Sequence, residues 1–330
     1  MQKKGNILVV GGAGYIGSHM CKYLSNKGYT PITFDNLSRG HRKAVKWGPL
    51  IEGSIFNSGL LDHVFETFEI SAVMHFAAFA YVNESVKLPL LYYENNVSAT
   101  TSLLKSMVKN NVSKFIFSSS CATYGEPIEV PLQESHPQNP ITPYGRSKSM
   151  VEQILDDVKK AHEFKYISLR YFNAAGADPD GELGEDHKPE THLIPLVMQT
   201  ALGQREAIEI YGDDYSTKDG TCIRDYIHIN DIALAHFLAL ERLLDGLSGG
   251  IYNLGNGKGY SVKEVIEIAR IITGKSIYSK VIGKRQGDPA KLISSSEKVA
   301  KELHWSPNFP DLHSIIETAW NWHRSNPKGY

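Results

Sequence analysis

Tyr144 and Lys148 stand four apart in the segment Tyr144-Gly145-Arg146-Ser147-Lys148, at the front of a helical pattern. Positions i and i+4 share a helix face, so the ammonium lies one turn from the phenol. Opposite charge favours the ionised form, and the phenol is expected to titrate below its reference of about 10, toward neutrality. Tyr144 is then a candidate base for taking a proton from an alcohol. Ser120, at the end of the strand-like run that opens with Phe115, can hydrogen-bond the same hydroxyl. Alone, a Tyr–Lys pair of this spacing is a weak signal that occurs by chance in many chains and reads first as an exposed helix pair. It becomes chemistry only beside a nucleotide site.

The N-terminal segment supplies one. An apolar run at residues 6–10 leads into Gly11-Gly-Ala-Gly14-Tyr-Ile-Gly17 and then an amphipathic helix. Glycines at this spacing allow a tight turn, close approach of a pyrophosphate to the backbone, and close helix–strand packing; the helix N-terminus offers unpaired N–H groups to the phosphates. The second strand ends at Asp35, whose carboxylate can accept from adenosine ribose hydroxyls and would repel a 2′-phosphate. That points to NAD rather than NADP, although Arg39 and Arg42 nearby keep the phosphorylated cofactor open. Small residues after the strand at 71–76, in His75-Phe76-Ala77-Ala78, let a cofactor approach the backbone. Asn95 and Asn96, within a helix expected over 88–110, could bond a loop or the cofactor, or form a polar face.

These residues need a frame that brings strand ends together. Strand and helix patterns alternate from residue 6 to 171, which predicts an α/β, Rossmann-type, doubly wound parallel sheet with its ligand at the strand C-termini. The Tyr144 helix lies on that sheet. After Asn173 the pattern changes: a loop rich in Asp, Gly, Glu and Pro over 177–189 gives way to shorter, mixed elements. The expected organisation is a dinucleotide-binding domain at 1–176 and a smaller mixed α/β substrate lobe at 177–330, with some segments returning to the first domain. Ser261 followed by Glu264 reads as a capping box, and Asn230 or Asp231 as the cap of the helix that ends near Leu244.

Composition excludes several classes. With 42% hydrophobic and 22% charged residues and a formal net charge of −1, the chain has an ordinary soluble composition and no basic run for nucleic acid. No apolar run is long enough for a membrane helix. The N-terminus runs straight into a short strand without a small-residue cleavage site, so no signal peptide is expected. Cys21, Cys121 and Cys222 are widely spaced; a reducing cytoplasm fits, and no metal is expected from them.

The glycine segment, the Ser120/Tyr144/Lys148 set and RYFNAAG at 170–176 together resemble the extended short-chain dehydrogenase/reductase family. The segments HFAAFAYVNES, YYENNV, SSSCATYGEP, PYGRSK, DGTCIRDYIH and YNLGNGKG extend the likeness to its nucleotide-sugar epimerase group over almost the whole length. The resemblance implies reversible epimerisation of UDP-glucose and UDP-galactose at carbon 4, through a transient 4-keto sugar and enzyme-bound NADH. It implies Tyr144 as base, Lys148 as its electrostatic partner and Ser120 as the third member. NAD would be held by Gly11, Gly14, Tyr15, Ile16, Gly17, Asp35, Asn36, Phe76, Ala77, Ala78, Asn95, Lys148 and Phe172. The UDP-sugar would meet Ser120, Tyr144, Asn173, His192, Leu193, Tyr211, Arg224, Arg285, Asp288 and Leu292. Arginine forks suit diphosphate oxygens, Asp288 can accept from ribose hydroxyls and Tyr211 can meet uracil. Arg224 beside Asp225 reads alternatively as a structural ion pair, and Tyr211 as core packing.

Some positions depart from the family pattern. Ser54 stands where an Asp often meets adenine, Ala80 where some members have Lys, His192 where an Asn often meets substrate, and Leu292 at a position tied to pocket size. UDP-N-acetylhexosamines and the pentoses of UDP-arabinose and UDP-xylose remain alternative substrates. A 4,6-dehydratase would carry an Asp-Glu pair after the catalytic hydroxyl; Ser120 is followed by Cys121-Ala122. A non-catalytic nucleotide sensor would not need both Tyr144 and Lys148. The family also implies a homodimer built from helices at 88–110 and 150–162, with Ile154, Leu155 and Val158 offering an apolar face that could alternatively pack on the sheet.

Overall fold

The computed structural model describes residues 4–285 and 288–330, so the reading of the extreme N-terminus lies partly outside the described residues. In chain order the elements are β1 (Asn6–Val10), α1 (Tyr15–Asn26), β2 (Thr30–Asp35), β3 (Leu50–Glu52), α2 (Ser58–Thr67), β4 (Ile70–His75), α3 (Val82–Lys87), α4 (Pro89–Tyr93), α5 (Ala99–Lys109), β5 (Lys114–Ser120), α6 (Pro143–Ala161) and β6 (Lys165–Tyr171). There follow β7 (Asn173–Ala175), α7 (Leu193–Ala201), β8 (Ile208–Tyr211), β9 (Ile223–His228), α8 (Ile229–Leu244), β10 (Gly250–Leu254), β11 (Gly259–Ser261), α9 (Val262–Thr273), β12 (Ser279–Ile282), β13 (Lys291–Leu292), α10 (Glu297–Leu303) and α11 (Leu312–Ser325). Two compact units emerge. Among the described residues the first holds those up to Gly125, Pro137–Arg170 and Ala233–Tyr252, and the second holds Glu126–His136, Tyr171–Ile232 and those from Asn253 onward.

The first unit is organised by a seven-stranded sheet in the order β10-β6-β5-β4-β1-β2-β3. Pairing is parallel at β1–β2, β2–β3, β1–β4 and β4–β5. The chain starts in the middle, winds outward through β2 and β3, then returns to the other side of β1 with β4. The loops after β1 and β4 therefore flank the switch point where such sheets bind ligands. Continuous apolar runs suit strands covered on both faces. Leu8, Val10, Phe34, Val73, Phe115 and Phe117 are buried with Leu103 and Met107 of α5 and Val151 and Leu155 of α6.

Two expectations change here. The helix expected over 88–110 is α4 and α5 joined through one turn of π-helix at Glu94–Ser98, with helical backbone angles at Glu94, Ser98 and Ala99. The apolar face of α6 faces inward: Leu155 is fully buried, and Ile154 and Val158 pack against the same core. Among the exposed apolar residues are Leu90 and Leu91 of α4, Leu88 just before it, and Met150 of α6.

The second unit contains β11, β9 and β13 in one sheet, with β7 also paired to β9, and a separate parallel pair, β8 with β12. Its core is Val197 and Ile194 of α7, Val265 and Ile266 of α9, and Ile315, Ile316 and Trp320 of α11. Ser261 and Glu264 form the expected capping box, and α9 stops at Gly274 in the left-handed region at φ 64°. Asp231 does not cap α8. It lies within that helix, and its carboxylate accepts from the backbone N–H groups of Asn308 and Phe309, clamping the loop before α11. Among the described residues no helix is long and apolar enough to cross a membrane.

Candidate active site

Thr142 caps α6, its hydroxyl accepting from Gly145 N, and Pro143 occupies the first turn. Tyr144 thus falls in that turn, where the positive end of the helix favours an anionic oxygen. Gly145 allows α6 to press on the turn after β5: a Cβ there would stand 2.3 Å from Ala122 O. That contact sets Tyr144 beside Ser120, whose hydroxyl is near enough to lower the phenol's pKa. Ser120 Oγ also accepts from Ala122 N at 3.1 Å. One turn on, buried Lys148 donates to Ser118 O at 2.7 Å, with its Nζ 5.9 Å from the centre of the Tyr144 ring. The three candidate catalytic residues are therefore assembled at one strand end and one helix face.

Their electrostatics differ from expectation. Burial pushes the Tyr144 phenol up to about 12, against the Ser120 hydrogen bond that lowers it. Burial likewise pulls the Lys148 ammonium down to about 7, opposed by the charge of Glu152. The expected fall in the phenol pKa is overturned for the protein groups alone. Both charges lose hydration, and the lysine is directed at a carbonyl rather than at the phenol oxygen.

Glu152, one further turn along α6, was not anticipated. Its buried carboxylate accepts from Ser119 Oγ at 2.6 Å, Ser168 Oγ at 2.9 Å, Gln138 Nε2 at 2.6 Å and both ends of the Arg170 fork. Arg170 also donates to Tyr124 OH at 2.9 Å. Residues 144, 148 and 152 at four-residue spacing were the available signal. Asn96, at the π-turn, was noticed but not assigned. It accepts from Phe79 N, donates to Phe79 O, and donates to Ser147 Oγ, which in turn donates to Tyr144 O. Asn95, the cofactor candidate, donates to Asn96 Oδ1.

The glycine loop fits a dinucleotide. Gly11 has φ +82°, and a Cβ on it would lie 2.4 Å from Ala77 N; one on Gly17 would lie 2.2 Å from Gly11 O. Any side chain would fill this cradle. Gly14 opens α1 without a side-chain cap, leaving Tyr15, Ile16 and the following N–H groups at the loop's mouth. Phe76 and Ala77 both donate backbone N–H to Val10 O, holding Ala78 and the small-residue turn against the loop, and Phe76 packs on His236 at 4.8 Å. Asp35, largely buried, accepts from Ala13 N at 3.0 Å and Leu37 N at 2.8 Å. Asn36 accepts from Ser38 N. Arg39 Nη2 donates to both carboxylate oxygens of Glu84, and the guanidinium lies over the rings of Phe79 and Tyr81, while Arg42 pairs with Glu52. The two cations that kept NADP open are each neutralised by a carboxylate.

In the second unit, Arg224 on β9 pairs with Asp288, not with Asp225. Asp225 instead accepts from Asn256 N, Gly257 N and Ser294. Leu292 sits opposite Arg224 in the β13–β9 register. The Arg285 guanidinium lies 3.6 Å from the centre of the Tyr211 ring, with its Nε buried and unpaired among the described residues. Tyr211 is thus only partly buried and not a core residue. Phe172 is buried, its N–H donating to Leu254 O, and Asn173 opens β7. His192 and Leu193 mark the start of α7, and His192 bonds to Glu185.

A doubly wound parallel sheet with a glycine turn after β1 and a Ser–Tyr–Lys cluster at β5 and α6 defines a nucleotide-dependent enzyme of the short-chain dehydrogenase/reductase type. The family described as NAD dependent epimerase/dehydratase matches residues 7–255, and the chain belongs to it. It is 53% identical to a UDP-glucose 4-epimerase of Halalkalibacterium halodurans, over 98% of this chain and 97% of the relative. A crystal structure of UDP-glucose 4-epimerase from Brucella ovis in complex with NAD superposes with TM-score 0.94 at 49% identity, over 96% of this chain and 97% of the other. One from Bifidobacterium longum in complex with NAD+ and UDP gives 0.93 at 39% identity, over 98% and 100%. The chain is an NAD-dependent epimerase.

Proposed function

We propose that this chain interconverts UDP-glucose and UDP-galactose at carbon 4, with Ser120, Tyr144 and Lys148 as its catalytic residues. The observation that carries the reading is the Ser120–Tyr144–Lys148 cluster, with Ser120 and Lys148 buried and Tyr144 partly so, beside the glycine-loop switch point. NAD would be held by Gly11, Gly14, Tyr15, Ile16, Gly17, Asp35, Asn36, Phe76, Ala77, Ala78, Asn95, Lys148 and Phe172. When bound, NAD accepts a hydride from carbon 4 and returns it, and its cationic ring adds the positive charge that the protein groups alone do not supply to the phenol. Tyr144 takes the proton of the 4-hydroxyl and later returns it. Ser120 hydrogen-bonds the same oxygen, and Lys148 stabilises the phenolate. The second unit holds the nucleotide end of the substrate: Arg224 and Arg285 face the diphosphate, Asp288 the ribose and Tyr211 the uracil. Asn173 joins the residues that hold UDP, Leu292 bounds the sugar pocket, and Leu193, with His192 beside it at the start of α7, meets the substrate. Arg285, whose buried Nε has no partner among the described residues, has a donor to spare for an anion.

The ketose must turn over between the two half-reactions. That requires a firm hold on UDP and a loose hold on the hexose. Two copies assemble through the outward residues of α4 and α6, and the enzyme works in the cytoplasm. Purified protein, without added NAD, is incubated in parallel with UDP-galactose, UDP-N-acetylgalactosamine and UDP-arabinose, and products are resolved by chromatography. UDP-glucose from UDP-galactose alone is the expected result. Turnover of the acetylated or pentose sugar as well would widen the substrate class beyond a pocket bounded by Leu292. No turnover even with NAD supplied would overturn the reading.

A further inference from the structure

Eight residues that precede α7, Glu185 to His192, place four metal-binding side chains together. Glu185, His187, Glu190 and His192 each offer one ligand atom, and all four atoms lie within 4.8 Å of one another. His187 Nδ1 is 3.2 Å from Glu185 Oε1 and 3.6 Å from Glu190 Oε2; His192 Nδ1 is 3.9 Å from Glu190 Oε1. For a tetrahedral ion with bonds of about 2.0–2.1 Å, adjacent ligand atoms are separated by roughly 3.3 Å, and two coordinated imidazoles have ring centres about 5.2 Å apart. The His187 and His192 rings are 5.3 Å apart and nearly perpendicular.

We propose that Glu185, His187, Glu190 and His192 bind a divalent transition metal ion, with zinc the best match, in a four-coordinate site that locks this loop to the start of α7. Two imidazole nitrogens and two carboxylate oxygens suit a borderline ion with no geometric preference of its own. The Glu185 and Glu190 side chains are 3% and 5% exposed, so two buried negative charges need two positive ones. A divalent ion supplies both at one point. His192 Nδ1 and Glu185 Oε1, now 2.5 Å apart, would part to ligand spacing when both coordinate.

The loop is braced at both ends. His192 opens directly into α7. Before Glu185, Gly184 N donates to Tyr330 OH, which donates back to Gly184 O, and Tyr330 N donates to Asp186. A cleft of about 320 Å³, lined in part by Glu185, His187, Glu190, Trp322 and His323, gives an entry path. Cysteine spacing gives no hint of this site; the signal is Glu-x-His-x-x-Glu-x-His in a loop.

The test uses metal ions alone. Protein purified from zinc-supplemented culture is dialysed against metal-free buffer and its metal content measured. It is then stripped with chelator and titrated calorimetrically with zinc, and reloaded with cobalt for absorption spectroscopy. About one zinc per chain and the intense visible bands of tetrahedral cobalt are expected. His187→Ala should weaken zinc affinity at least tenfold. Should His187→Ala fail to fold, the near-isosteric Glu190→Gln carries the comparison. No zinc above the buffer blank, or an affinity and cobalt spectrum unchanged in both variants, would overturn the site and leave an ion-paired loop.

Discussion

At the residue scale, the phenol proposed as the base is a neutral group in the resting protein and has to give up its proton for that role. Burial sets its pKa at about 12, and the nearest ammonium is itself drawn down to about 7. Tyr144→Phe should keep the fold and lower kcat by roughly 10²–10⁴, the usual worth of a positioned base. Lys148 tests how the phenol is tuned. An ammonium stabilises phenolate, so removing it raises the phenol pKa and moves the acid limb of kcat/KM to higher pH, by about 1–3 units for a close opposite charge. In Lys148→Met that shift should be clearest below about pH 7, where the lysine keeps its own charge. A pH–rate profile that superposes on that of the wild type would show that the phenol is tuned by other charges.

At the element scale, α6 carries the proposed base Tyr144, the lysine and an anchoring carboxylate at four-residue spacing. The anchor is Glu152, fixed by Arg170 of β6 and by Ser119 of β5. Glu152→Ala leaves a buried guanidinium unpaired, and breaking such a pair typically costs about 3–5 kcal/mol. Replacing both partners by apolar residues, Glu152→Leu with Arg170→Leu, should recover much of that loss in urea unfolding of the holoenzyme. If the single variant unfolds at the wild-type midpoint, the pair holds nothing in place. The π-turn at Glu94–Ser98 belongs to the same design, because it lets Asn96 reach both Phe79 and Ser147. The glycine turn is a further element with no slack. Gly11→Ala would set a Cβ 2.4 Å from Ala77 N at a positive φ, so purified variant should carry markedly less NAD, read from the cofactor released on denaturation.

At the scale of the whole molecule, the outward apolar residues test the proposed assembly. Leu90 is 80% exposed, with Leu88, Leu91 and Met150 also outward, whereas Leu155 on α6 is fully buried. The two-copy assembly proposed above therefore predicts that Leu90→Asp lowers the mass measured by light scattering from two chains to one, while NAD stays bound. A wild-type mass of one chain would sink the dimer; a mass of two chains in the variant would move the interface elsewhere.

Much of this was legible in the residues alone. The glycine turn, Asp35, the Tyr144–Lys148 spacing and the alternation of strand and helix are local patterns, because tight turns, helix faces and buried strands each constrain nearby residues directly. The capping box at Ser261 and Glu264 was readable for the same reason. What only the tertiary structure decided were matters between distant residues. Whether Arg224 meets Asp225 or Asp288, whether Arg39 remains available to a phosphate, and whether Asp231 caps a helix or clamps a loop depend on partners far along the chain. The direction of the Tyr144 pKa belongs with them: spacing places a charge near the phenol, but the balance of that charge against lost hydration is set by how deeply the fold buries both groups.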